Sequence, residues 1–209
     1  TWFERELDNI RAMLNWSLVT PQGFQLGVGS IMMWFWFMYR RGYFIEGLQW
    51  AEKFLAIPEI QNIPPLRAMA LASSGMMALW QGQQETALAR LQEALASEQH
   101  LEDDNMVARL QMANGIAFIN MGRDGDAKPL LEQASGIFEN VDPYFHALTL
   151  VHLGNAELGL GHPDTAKAYH SKAETSARAI NENWLISFVL NNLGVLARTQ
   201  GQYDIARKY

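Results

Sequence analysis

Five histidines, His100, His146, His152, His162 and His170, are the obvious acid–base or metal-binding candidates in a chain of 209 residues that contains no cysteine. Without Cys there are no disulfides, no thiolate zinc sites and no cysteine nucleophile. His146 and His152 are six apart, on poorly aligned faces of one helix, and no H-E-x-x-H pair of ligands occurs. They read as packing or surface residues. The acidic run Glu102-Asp103-Asp104 lacks the alternating oxygen ligands and glycine of a calcium loop. It precedes a helix, where negative charge favours the N-terminus, so capping is the expected role. Gly27-Val28-Gly29 follows no strand and has no third glycine in register, and Ser73-Ser74-Gly75 has no base at the spacing of a nucleophile elbow. The expectation is no catalytic residue, no cofactor and no metal. What remains is surface for binding.

Composition narrows that surface. The chain has 16 Lys+Arg against 22 Asp+Glu, a net charge of -6, and 49% apolar residues. An acidic balance supplies no field for neutralising phosphates, so direct nucleic-acid binding is not expected. Residues 12–39 carry no charge and include the run from Ile31 to Tyr39. Thr20-Pro21-Gln22-Gly23 breaks that stretch into a helix stop and restart, leaving an apolar run too short to span a bilayer. No membrane segment is expected. The opening Thr1-Trp2-Phe3-Glu4-Arg5-Glu6 has neither Met nor a basic leader, so it reads as part of a longer cytoplasmic protein rather than a signal peptide.

The elements that must carry any binding surface are set out by an internal repeat. Gly42, Gly82, Gly122, Gly161 and Gly201 are spaced 40, 40, 39 and 40 residues apart. Seven positions before the last four stand Gly75, Gly115, Gly154 and Gly194; five positions after stand Ala87, Ala127, Ala166 and Ala206, with Gly47 in the first unit. Ala94, Ala134 and Ala173 follow at twelve, where the first unit has Phe54. Seven residues are about two helical turns, so the first glycine shares a face with the second and admits a neighbouring helix. The second glycine suits a left-handed helix end. Each unit therefore reads as a helical hairpin, separated by Pro58, Pro64 and Pro65, Asp103-Asp104-Asn105, Asp142-Pro143 and Asn181-Glu182-Asn183. Helices are expected near 3–19, 22–40, 43–56, 65–81, 84–98, 104–121, 124–139, 144–160, 163–180, 184–200 and 202–209, with no sheet. Pro129 falls inside one of them, close enough to its start to be tolerated.

The order Gly, Gly, Ala, Ala, as in Gly154, Gly161, Ala166 and Ala173, resembles the tetratricopeptide repeat (TPR) at a longer period than its usual 34 residues. Long-period repeats of this type are similar to those of bacterial STAND ATPases, including LuxR-like and maltose-activator transcriptional regulators. The segment Trp2 to Trp16 resembles the linker helix that opens that sensor region. The resemblance implies an all-α, right-handed solenoid of antiparallel helix pairs over residues 22–209, after a linker or capping helix at 1–21. Its units would be 22–60, 61–102, 103–141, 142–181 and a shortened 182–209. It also implies an upstream ATPase domain in a parent chain, since no G-x4-G-K-[ST] occurs in this sequence.

In such an array the first helix of each pair lines the concave wall. Offsets about the mid-helix glycine then name a candidate groove of Met32, Trp36, Tyr39, Met76, Trp80, Met112, Asn120, Asn155, Asn191 and Arg198, with Arg109 as a further polar residue of interest. The N-terminal half is rich in Met and Trp, and the C-terminal half offers hydrogen-bonding groups. The lysine-bearing clamp of chaperone-tail binders is absent at the corresponding offset. The expected function is a non-catalytic ligand-sensing or protein-interaction module of a bacterial signalling regulator. Its groove would take a protein, a peptide or a small-molecule effector. The alternative is a stand-alone scaffold that binds a peptide or helix of a partner. With Tyr209 inside the last hairpin, self-association through an uncapped repeat is also expected.

Overall fold

The computed structural model describes residues 2–97 and 103–209; the side chains of residues 2–4, 32, 33, 35, 36, 39 and 40 lie outside that description. The chain divides into two compact units, Thr1–Glu102 and Asp103–Tyr209. The first holds α1 (Trp2–Ser17), α2 (Pro21–Arg41), α3 (Phe44–Leu55), α4 (Pro58–Gln61), α5 (Pro64–Trp80) and α6 (Gln84–Leu95). The second holds α7 (Asp104–Asn120), α8 (Asp124–Val141), α9 (Pro143–Gly159), α10 (Pro163–Ala179), α11 (Asn183–Thr199) and α12 (Tyr203–Ala206). No strand occurs among the described residues. No described helix is long and apolar enough to cross a membrane.

Local chemistry explains the hairpins. Gly42, Gly82, Gly122, Gly161 and Gly201 all have φ between 69° and 82°. Around Gly82 the Gln83 N–H donates to the Ala78 carbonyl at 3.0 Å and the Gly82 N–H to Leu79 at 3.1 Å. That pair of bonds satisfies two carbonyls left over at the end of α5. The same closure recurs at Gly122, Gly161 and Gly201, and Asn181, with φ 54°, performs it after α10. No atom lies within 4 Å of a Cβ placed on any of these turn glycines. Gly122→Ala therefore lowers stability through backbone strain alone, by about 1 to 2 kcal/mol. A shift of the urea midpoint with unchanged slope would show this, whereas an unshifted midpoint would rule it out.

Helix starts follow the expected chemistry in part. Asp103 accepts the Asn105 N–H at 2.9 Å, and Asp142 accepts the N–H groups of Tyr144 and Phe145, both at 3.1 Å. Glu182, which precedes α11, makes no side-chain cap bond; the left-handed Asn181 turn sets that boundary instead. Two elements differ from the expected set. The prolines after α3 do not merely separate helices, because Pro58 starts the short α4, anchored by fully buried Ile60. The expected helix 202–209 is reduced to Tyr203–Ala206, none of whose residues is buried. Pro129 stands in the second turn of α8 on its exposed side, and the helix continues through it.

Packing inside each unit uses the small residues. In the first, α2 packs on α1, α3 and α5, and α6 closes against α5. In the second, α7 pairs with α8, α9 with α10, and α11 with α12, with α8 also against α9 and α10 against α11. Ala87, Ala127 and Ala166 are fully buried, as are Ala94, Ala134 and Ala173. They form the narrow seams along which the paired helices meet.

Candidate functional site

In the first unit, Met76 and Trp80 project from α5 onto a small core of Met38 and Met77, shared with Trp34, Phe37 and Leu48. Both are half-buried, so they close that core as much as they offer surface. Met32, Trp36 and Tyr39 fall on α2, but their side chains lie outside the described residues. Ion pairs tie the helices of this unit to one another. Arg11 of α1 donates from Nε and Nη2 to the two carboxylate oxygens of Glu46 on α3, at 2.7 and 2.8 Å. The Arg11 guanidinium holds the Glu46 carboxyl below the usual carboxylate range despite its partial burial. Glu52 accepts from Ser74 at 2.5 Å and Arg90 at 3.0 Å, linking α3 to α5 and α6. Such cross-ties position the helices of this unit.

In the second unit the first helices of the pairs, α7, α9 and α11, lie side by side. Met112 is only 6% exposed, with its sulfur 3.3 Å from the Thr149 hydroxyl, so it sits in the core rather than on open surface. Asn155 is half-buried and Asn120 is exposed at the end of α7. Arg109 is half-buried and satisfied internally. Its guanidinium lies 4.1 Å from the Phe145 ring centroid, its Nε donates to Asn105 at 2.6 Å, and Asp142 stands at 3.7 Å. Burial pulls the Arg109 pKa down, against the pull of Asp142 and Asp103.

Asn191 and Arg198 come together in one groove along α11. Its volume is about 570 Å³, and Leu190, Gly194, Val195 and Tyr209 form most of the rest of its wall. The nearest atoms to a Cβ on Gly194 would be the Ala206 oxygen at 3.6 Å and the Tyr209 Cβ at 3.7 Å. The corresponding glycines of the earlier pairs are filled by Leu91, Leu131 and His170 at 2.5 to 2.7 Å. An apolar floor with an exposed guanidinium and a carboxamide on its rim suits a chain segment that carries both an aliphatic side chain and an acidic group.

No family model and no curated protein matches the chain. Solved structures do. BtubC (BKLC) from P. vanneervenii superposes with a TM-score of 0.75 at 16% identity, over 100% of this chain and 88% of that one. A Podosopora anserina kinesin light chain with nearly identical TPR-like repeats gives a TM-score of 0.66 at 16% identity, covering 87% and 90%. A Rap protein complexed with competence and sporulation factor gives 0.67 at 14% identity, covering 97% of this chain and 63% of that one. The fold is a TPR-like α-solenoid.

Within this TPR-like array the sequence-derived wall divides by position. Met76, Trp80 and Met112 are drawn into packing, Asn120 and Asn155 stay accessible to different degrees, and Asn191 and Arg198 share a hollow. The groove also takes in Ser187, Leu190 and Tyr209, which the repeat offsets did not name. Two buried groups lie outside the candidate groove. Glu157 of α9, its side chain 3% exposed, accepts from Lys128 of α8 at 2.8 Å and pairs with His162 Nδ1 at 2.8 Å. The Lys128 ammonium, hydrogen-bonded to it, holds this carboxyl below the ordinary range. The other is His170, fully buried on α10. Of the remaining histidines, His146 is half-buried, His152 is buried, His162 is exposed on the Glu157 pair, and His100 lies outside the described residues. No group of three or more His, Asp or Glu side chains among the described residues could hold a metal ion.

Proposed function

We propose that this chain is a non-catalytic interaction module whose α11 groove binds a peptide or helix bearing an acidic group next to an aliphatic side chain. The observation that carries this reading is the convergence of Asn191 and Arg198 on one groove along α11, beside Leu190 and Val195. Support comes from the fold, which in a Rap protein has been solved in complex with competence and sporulation factor. The long repeat period and the opening segment from Trp2 to Trp16 support a place in a larger bacterial STAND- or LuxR-like regulator, with an ATPase module upstream and a cytoplasmic setting.

A fluorescence-polarisation screen of labelled peptides tests the groove. For any binder, replacing its acidic residue by the matching amide and making Arg198→Ala in the protein should each weaken binding by about tenfold or more, because a hydrogen bond to a charged group is worth about 1.5 to 3 kcal/mol. The two changes together should weaken it little further. Binding that ignores Arg198→Ala, or a library with no binder, would refute the reading.

A further inference from the structure

Three helix pairs share one packing joint, and one of them is built from a different residue. The mid-helix glycine receives the side chain sixteen positions further on: Leu91 against Gly75, Leu131 against Gly115, and His170 against Gly154. A Cβ on Gly154 would lie 2.5 Å from Cε1, 2.7 Å from Nδ1 and 2.9 Å from Nε2 of His170, so the imidazole rests flat on bare backbone where its counterparts present an isobutyl group. His170 is fully buried, and neither ring nitrogen has a hydrogen-bond partner. A buried polar ring without partners, in a slot that leucine fills twice elsewhere, requires an explanation beyond packing.

The surroundings supply one. His152 on α9 is a second buried imidazole, its ring centroid 6.0 Å from that of Phe188 on α11. The charged groups of the packed helices are occupied or face solvent. Glu157 of α9 is engaged by Lys128 and His162; on α10, Lys167 and Lys172 are exposed and Arg178 pairs with Glu174; Arg198 of α11 is exposed. Among the described residues no ion pair joins a carboxylate to either ring, and burial, with His170 for His152, is what acts on them.

We propose that His170, with His152 beside it, is an acid-sensitive latch: the α9–α10 hairpin stays closed while both rings are neutral and opens when His170 takes up a proton. Burial pushes both imidazoles down to about 4 from the ordinary 6.5, and their mutual repulsion adds to this for His152. The sign follows. The opened state binds protons first as pH falls through 6.5, so closure is at full strength above that value and is lost progressively towards 4. Each ring alone then raises the opening equilibrium by on the order of tenfold between pH 7 and 5.

Amide hydrogen exchange of α9 and α10, corrected for intrinsic rates, and imidazole proton NMR read this out on the intact chain. The native protein should open on the order of tenfold or more as pH falls from 7 to 5. His170→Leu, which restores the residue of the sister joints, should remove much of that dependence, and the His170 ring should titrate well below 6.5. Leu131→His should import acid sensitivity into the α7–α8 joint, a check that survives if His170→Leu fails to fold. Equal pH slopes for native protein and His170→Leu, a His170 ring titrating near 6.5, or a pH-indifferent Leu131→His protein would each overturn the latch.

Discussion

Phe138→Ala lowers the stability of residues 103–209 by about 3 to 5 kcal/mol, the range for removing a fully buried aromatic ring. Phe138 is 0% exposed on α8, and its ring stacks on Phe145 of α9 with centroids 5.4 Å apart. Phe145 in turn carries the Arg109 guanidinium on its face and Tyr144 at its edge. Truncation thus leaves a cavity and also removes one support of the ring over which Arg109 is desolvated. The loss should appear as a lower urea midpoint and as faster amide exchange in α7, α8 and α9, with Phe138→Leu losing much less. A deficit below about 1.5 kcal/mol for the alanine variant would mean that this stack is not central to the unit.

Gly115→Val should lower stability by about 2 to 3 kcal/mol, the upper part of the overpacking range. A Cβ at Gly115 would approach Leu131 Cγ at 2.7 Å and Cδ2 at 2.8 Å, and Leu131 is itself fully buried. Valine has the better helix propensity, by roughly half a kcal/mol, so the sign is decided by the clash. Combining Gly115→Val with Leu131→Ala should recover part of the loss, because the added methyls occupy the space the leucine vacates. Strict additivity of the two changes in a double-mutant cycle would contradict direct packing. The contrast with Gly122→Ala separates the two glycine classes: one resists a side chain because space is missing, the other because its φ of 69° is left-handed.

Much of this was legible in the amino-acid order, and the particular residues show why. Turn glycines, the aspartate caps at Asp103 and Asp142, and the alanine seams depend on backbone conformation and helical periodicity within a few residues, so spacing alone identified them. The short α4 was missed because proline punctuation is the same whether a loop or a single anchored turn follows it. His170 was seen only as one histidine among five, although its place in the repeat, aligned with Leu91 and Leu131, marked it as a substitution inside a joint. Aligning residues sixteen beyond each mid-helix glycine would have exposed it.

The order of residues determined the helical hairpin, its forty-residue period, its left-handed turns and the absence of strand-forming alternation, because each follows from local dihedral preference and a 3.6-residue repeat. Tertiary packing alone decided which residues of the first helices stay available. Ile116 and Val195 share one register position and nearly one chemistry, yet Ile116 is 8% exposed and Val195 is 37% exposed. Ile116 is on a helix packed against both α8 and α9, whereas Val195 lies on α11 in the groove it shares with Asn191 and Arg198. Exposure belongs to the neighbours a side chain meets, and those neighbours are set by how whole helices stack rather than by the residue or its position in the period.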